Sequence, residues 1–128
     1  MKLKISEALK IEEVYNTIKT QMAPVSVSYK LSKIHNELNS GLKFYQEELK
    51  KIIDEYSQKD ENGDYVYSED KQSILIQDCF IDICNKKIND LSNFEIDFTQ
   101  SFTIQELATF SLTVDQINSL YPIIVEKN

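Results

Sequence analysis

The chain has 128 residues, enough for one domain of ordinary size, and 41% of them are apolar, enough to bury a core. All 14 basic residues are Lys, and with 21 acidic residues the formal charge is −7. That balance, without Arg, disfavours nucleic-acid and anionic-membrane binding. One His and two Gly exclude a His-rich metal site and a glycine-rich phosphate loop.

From the N-terminus, Lys2-Leu3-Lys4-Ile5 alternates polar and apolar and predicts a short strand with Leu3 and Ile5 inward. Ser6 is the expected N-cap of a helix running from Glu7 to about Met22. Its stripe is Leu9, Ile11, Val14, Tyr15, Ile18 and Met22. Pro24 separates it from the strongest pattern in the chain. Between about Val25 and Tyr56, Leu31, Ile34, Leu38, Leu42, Tyr45, Leu49, Ile52 and Tyr56 recur at steps of three and four. This predicts an amphipathic helix on the order of 45 Å long. Gly41 within it is expected to admit a neighbouring helix at close range.

Ser57 to Tyr67 reads as a polar connection turning at Asn62-Gly63. Ser68 then caps a third helix, expected from about Glu69 to Leu91. Two apolar lines run along it, Ile74/Ile81/Ile88 and Ile76/Phe80/Ile83. A short connection between long helices predicts an antiparallel hairpin of coiled-coil type over residues 25–91. If both lines are buried, a monomer of this size leaves one short of cover, which self-association or a partner helix is expected to supply. Cys79 and Cys84 are expected to be buried structural thiols, since neither their helical spacing nor C-x4-C suits a disulfide or zinc.

The last third changes period. Phe94, Ile96 and Phe98 alternate with polar residues and predict a half-buried strand, and Phe102-Thr103-Ile104 a second one. Thr103-x-x-Glu106 and Thr113-x-x-Gln116 are capping boxes, the second opening a helix from Val114 to Leu120. Ile123-Ile124-Val125 closes the pattern as an apolar tail or strand. Leu3-Lys4-Ile5-Ser6-Glu7 echoes Phe102-Thr103-Ile104-Gln105-Glu106, which suggests strand-into-helix units at both ends, paired in one small sheet. The expected fold is therefore α+β and mostly helical. It has a three-helix N-terminal part with a long antiparallel hairpin, then a small sheet and a short C-terminal helix. It is expected as a single domain over 1–128, with the β-containing part at 94–125 packing on the strand at 2–5.

No constellation reads as an active site. The paired carboxylates Glu47/Glu48, Asp60/Glu61, Glu69/Asp70 and Asp78/Asp82 fall on solvated faces or turns, His35 has no partner, and no nucleophile turn is present. The one metal-like pattern is an EF-hand register with Gly63 sixth, whose candidate ligands are Asp60, Asn62, Asp64 and Glu69. Gln58 stands where its first carboxylate belongs, so weak calcium binding is the most it predicts. No cofactor and no catalysis are expected. Candidate contact residues are the loop aromatics Tyr65 and Tyr67 and the third-helix residues Ile76, Phe80 and Ile83.

The run PVSVSYKLSKIHNELNSGLKFYQEELKKIIDEYSQKDENGDY, together with the opening Met1 to Glu7 and the ending Phe102 to Ile124, resembles a family of short tailed-phage proteins of unknown function. Ser57 to Ser68 and Lys51-Ile52 depart from the family pattern, which often carries Arg-containing turns there. The resemblance brings no catalytic residues. It implies a phage gene product of one small α+β domain. The expectation is a non-enzymatic protein acting through protein–protein contacts as a minor virion component or assembly factor, with an inhibitor of a host enzyme or defence system as the alternative. Its partner would be a phage structural or host protein, with homo-oligomers allowed and neither nucleic acid nor membrane involved. MKLKISEALK does not read as a signal peptide, so the expected location is the host cytoplasm, with incorporation into the virion the other option.

Overall fold

A computed structural model describes residues 1–125 and shows an α+β, mostly helical chain. Contacts divide it into two compact units. The first holds Met1–Lys43 and the chain from Glu95 onward; the second is Phe44–Phe94. Helix α2, Val25–Tyr56, has the bounds its periodicity predicts and contributes its first part to one unit and its last part to the other.

The first unit is built on alternation and capping. Strand β1, Lys2–Lys4, turns Leu3 inward and leads directly into helix α1, Ile5–Ile18. The helix starts at Ile5 rather than after Ser6. The Glu7 carboxylate, at N3, accepts from the backbone N–H of Lys4 at 3.0 Å, which fixes Lys4 as the N-cap in place of Ser6. It also stops four residues before Met22, which is 96% exposed. Ala8, Ile11, Val14 and Ile18 form its buried face, and Val27, Leu31, Ile34, Leu38 and Leu42 that of α2. Strand β2, Glu95–Asp97, runs antiparallel to β1 with Leu3 opposite Ile96. Reciprocal bonds between Met1 and Phe98 extend the ladder.

Strand β3, Phe102–Thr103, pairs in parallel with β4, Ile124–Val125. The two chain ends thus form two separate two-stranded sheets, not the one shared sheet suggested by their sequence echo. The echo is instead one of capping, because Glu106 repeats at Thr103 the bond that Glu7 makes to Lys4. Between β3 and β4 lie helices α4, Ile104–Leu107, and α5, Val114–Leu120, each opened by its expected capping box.

Gly41 serves a strand and not a neighbouring helix. A Cβ there would lie 2.6 Å from Ile96 Cδ1, so β2 occupies the space a side chain would need. Gly41→Ala is expected to be near neutral, because the terminal methyl of Ile96 can rotate away and the gain in helix propensity, about 1 kcal/mol, offsets the shift. Gly41→Val adds branches at the same spot and is expected to cost about 1–2 kcal/mol, toward the lower end of overpacking penalties. Chemical denaturation of the two variants separates these outcomes.

In the second unit the end of α2 is followed by helix α3, Ile81–Ser92, which runs antiparallel to it. Lys87 Nζ donates to Tyr56 Oη at 2.7 Å near one end, and Phe94 meets Phe44 edge-on at 6.0 Å at the other. The helical hairpin is present, but its second helix begins twelve residues later than the expected Glu69. Residues 57–77 form a β meander instead, with antiparallel pairings of Lys59 with Tyr65, Tyr67 with Ile74 and Ser57 with Ile76. Gln58, Val66 and Leu75 close it in a ring of backbone bonds, each N–H donating to the next carbonyl at 2.8–3.1 Å. Local polar side chains defeat the helix. Ser68 donates to Asp70, Asp70 accepts from the Gln72 N–H at 3.1 Å, and Lys71 sits at φ 59°. The flanking triplets Tyr65-Val66-Tyr67 and Ile74-Leu75-Ile76 are β-formers and pair across that loop.

Candidate functional site

The calcium register loses its framework with the third helix. Asp60 Oδ1 accepts from the backbone N–H groups of Asn62 (2.8 Å) and Asp64 (3.0 Å) and holds a tight turn in which Gly63 has φ 82°. Glu69 does not open a helix, and Gln58, at the first ligand position, gives its amide to the Ile76 carbonyl at 3.1 Å. Among the described residues no group of three His, Cys, Asp or Glu is placed to hold a metal ion. Of the paired carboxylates only Glu48 is half-buried; the others are exposed. The Ser68 hydroxyl and the Gln72 N–H hold Asp70 below the usual carboxylate range. His35 stacks on Tyr15 at 4.8 Å and lies 3.1 Å from Asn39 Nδ2, which fits a helix-flanking role.

The two cysteines are not alike. Cys84 is buried beneath α3, whereas Cys79, expected to be buried with it, is exposed on the 3-10 turn Asp78–Phe80 that precedes the helix. Burial pushes the Cys84 thiol up, against a smaller opposing effect of Lys87. A thiol reagent at neutral pH is therefore expected to titrate one cysteine promptly, with Cys79→Ser abolishing the fast phase and Cys84 reacting only on unfolding. Two equally fast thiols would show that α3 does not shield Cys84.

The contact residues predicted from sequence are dispersed over the second unit. Tyr67 is 51% and Ile83 47% exposed, Tyr65 is half-buried beside the Lys59 ammonium, and Ile76 is half-buried in the meander. Phe80 is half-buried and packs on Tyr56 at 5.2 Å between ring centroids. Of the two expected apolar lines of α3, Ile81 and Ile83 remain exposed. Only Tyr56, Cys84 and Leu91 among the apolar side chains of Phe44–Phe94 are buried.

A groove of about 380 Å³ runs along the hairpin. Glu48, Lys51, Ile52 and Glu55 line its α2 wall, and Lys87, Asp90 and Leu91 its α3 wall, with Phe94 just beyond the helix. Phe44 and Phe94 mark one end and are 51% and 57% exposed. Phe44, Glu48, Lys51 and Glu55 follow one another at i, i+4, i+7 and i+11 on α2. Ile83, Lys87, Asp90 and Phe94 repeat that spacing in and just beyond α3. Such spacing places each set on one face of its helix and was readable from sequence. The core-facing stripes dominate the pattern of both segments, so Phe44 and the charged members do not stand out in it, and alternation places Phe94 on the inward face of a strand.

A second hollow, of about 510 Å³, lies among Asp54, Glu55, Ser57, Gln58, Lys59 and Gln77. Its two amides are already committed, Gln58 to Ile76 O and Gln77 to Ser57 O, while the buried Ser57 hydroxyl on the same lining has no hydrogen-bond partner among the described residues. Comparison of the chain with protein-family models, with curated proteins and with solved structures finds no match.

Proposed function

We propose that this chain is a non-enzymatic protein that works through protein–protein contact, with the hairpin of its second unit as the contact surface. The incompletely covered apolar set of that unit carries the reading. A segment with Phe44, Phe94, Ile81, Ile83 and Tyr67 at 41–57% exposure, and three buried apolar side chains, gains most by covering that surface with another protein. Exposed aromatics flanking a groove are the usual anchors of such contacts. The sequence resemblance adds the biology: a phage gene product serving as a minor virion component or assembly factor.

A photo-crosslinking phenylalanine analogue at position 94, introduced in phage-infected host cells, tests the contact. A discrete protein adduct is expected, absent when the analogue replaces the exposed Asn85 and reduced by Phe44→Ser. No adduct above the Asn85 background overturns the reading. Mass spectrometry of purified particles and assembly intermediates tests the virion role, which requires the protein in one of them. Its absence from both, with an adduct to a host protein, would favour the inhibitor alternative.

A further inference from the structure

The groove repeats one order of chemistry on both walls. From the aromatic end inward, α2 presents Phe44, Glu48, Lys51 and Glu55, and the antiparallel α3 side presents Phe94, Asp90, Lys87 and Ile83. The result is three successive bands, an aromatic one, an acidic one of Glu48 and Asp90, and a basic one of Lys51 and Lys87. The second unit has twelve carboxylates against six lysines, but its excess acid lies mainly in the meander and around Asp78 and Asp82. The groove itself is nearly balanced, with three carboxylates and two lysines.

Banding of this kind is self-complementary. We propose that the groove docks antiparallel on the same groove of a second copy, about a two-fold axis passing between the acidic and basic bands. Rotation about that axis sets Glu48 opposite Lys51 and Asp90 opposite Lys87 of the other copy, and each Phe44/Phe94 pair toward the Glu55/Ile83 end of the other hairpin. This is the isologous geometry that closes at a dimer. Within one chain Lys51 pairs with Glu48 at 3.1 Å and Lys87 lies 4.0 Å from Glu55, while Asp90 has no ion-pair partner among the described residues. The second copy supplies one. A cationic protein would be drawn to the acidic meander rather than to this balanced face.

The inference rests on the contact reading above and specifies its partner. Its test is sedimentation of the full chain with two charge-reversed variants, Lys51→Glu/Lys87→Glu and Glu48→Lys/Asp90→Lys. The unaltered protein is expected to be a dimer, each variant alone a monomer with unchanged helicity, and the equimolar mixture a dimer again. Carbodiimide coupling of mixed light and heavy-isotope unaltered protein gives a second readout independent of variant folding. Lys51–Glu48 or Lys87–Asp90 peptides should join one light and one heavy chain. A monomer at every soluble concentration, dimeric single variants, a mixture that stays monomeric, or the absence of mixed-isotope peptides each overturns the proposal. A monomer that still yields a position-94 adduct with another protein removes self-pairing and leaves the contact reading standing.

Discussion

Phe98→Ala is expected to lower stability by about 3–5 kcal/mol, while Phe94→Ala, the same change four residues earlier, costs less than about 1 kcal/mol. Phe98 has no exposed surface, and its backbone is fastened to Met1 through both its N–H and its carbonyl. The substitution therefore deletes packing without releasing the strand end, and the lost volume lies in the core of the first unit. Phe94 is 57% exposed and touches chiefly Phe44, so truncation there removes little buried surface. Urea denaturation reads both. A large fall in midpoint at constant slope is expected for Phe98→Ala. Equal losses would mean that the two rings share one buried face, as strict alternation requires. Phe94→Ala should instead weaken association through the groove.

This pair of residues also shows how far sequence reasoning reaches. Alternation correctly marks residues 94–98 as extended, and one inward face is its simplest consequence. The observed strand is only three residues long, Glu95–Asp97, and Phe94 falls outside it at the end of the hairpin, so the period-two rule no longer governs that ring. Long periodic elements were legible. Helix α2 and helix α5 have the expected bounds, because sustained spacing or a Thr-x-x-Gln box leaves the backbone little alternative. The segment from Ser68 to Gln77 was not. Its apolar residues fit helix and strand templates alike, and the choice was made by Ser68 and Asp70 hydrogen-bonding locally and by pairing with the distant Ser57–Lys59 segment. Non-local pairing of this kind leaves no mark at short range. The groove was legible in principle, because both of its stripes stand in the sequence at fixed helical offsets. Knowing that they face one groove required the hairpin register.

Glu106→Gln is expected to cost about 2–3 kcal/mol at neutral pH and to flatten the acid limb of the stability profile. Glu106 sits where several requirements meet. Its Oε1 accepts from the Thr103 N–H at 3.0 Å as the reciprocal half of the capping box of α4, and Lys30 of α2 approaches its carboxylate oxygens at 2.7 Å. The side chains are 23% and 27% exposed, so the pair is only partly screened by water. Burial acts to raise the Glu106 pKa, but the Lys30 hydrogen bond and charge, with the Thr103 N–H and hydroxyl, outweigh it and hold the group below its ordinary value. A carboxylate whose pKa is depressed on folding contributes stability that is fully present above its unfolded value, near 4.3. That contribution declines as pH falls through 4.3 and is lost below the folded value. The difference in stability between the unaltered chain and Glu106→Gln should therefore be constant at neutral pH and shrink as acid is added through that window. Lys30→Met should shrink the same pH dependence, since it removes the charge that opposes burial. The double variant should cost less than the sum of the two single ones. A Glu106→Gln profile parallel to that of the unaltered chain across the acid range would show that Lys30 and Glu106 contribute through packing alone.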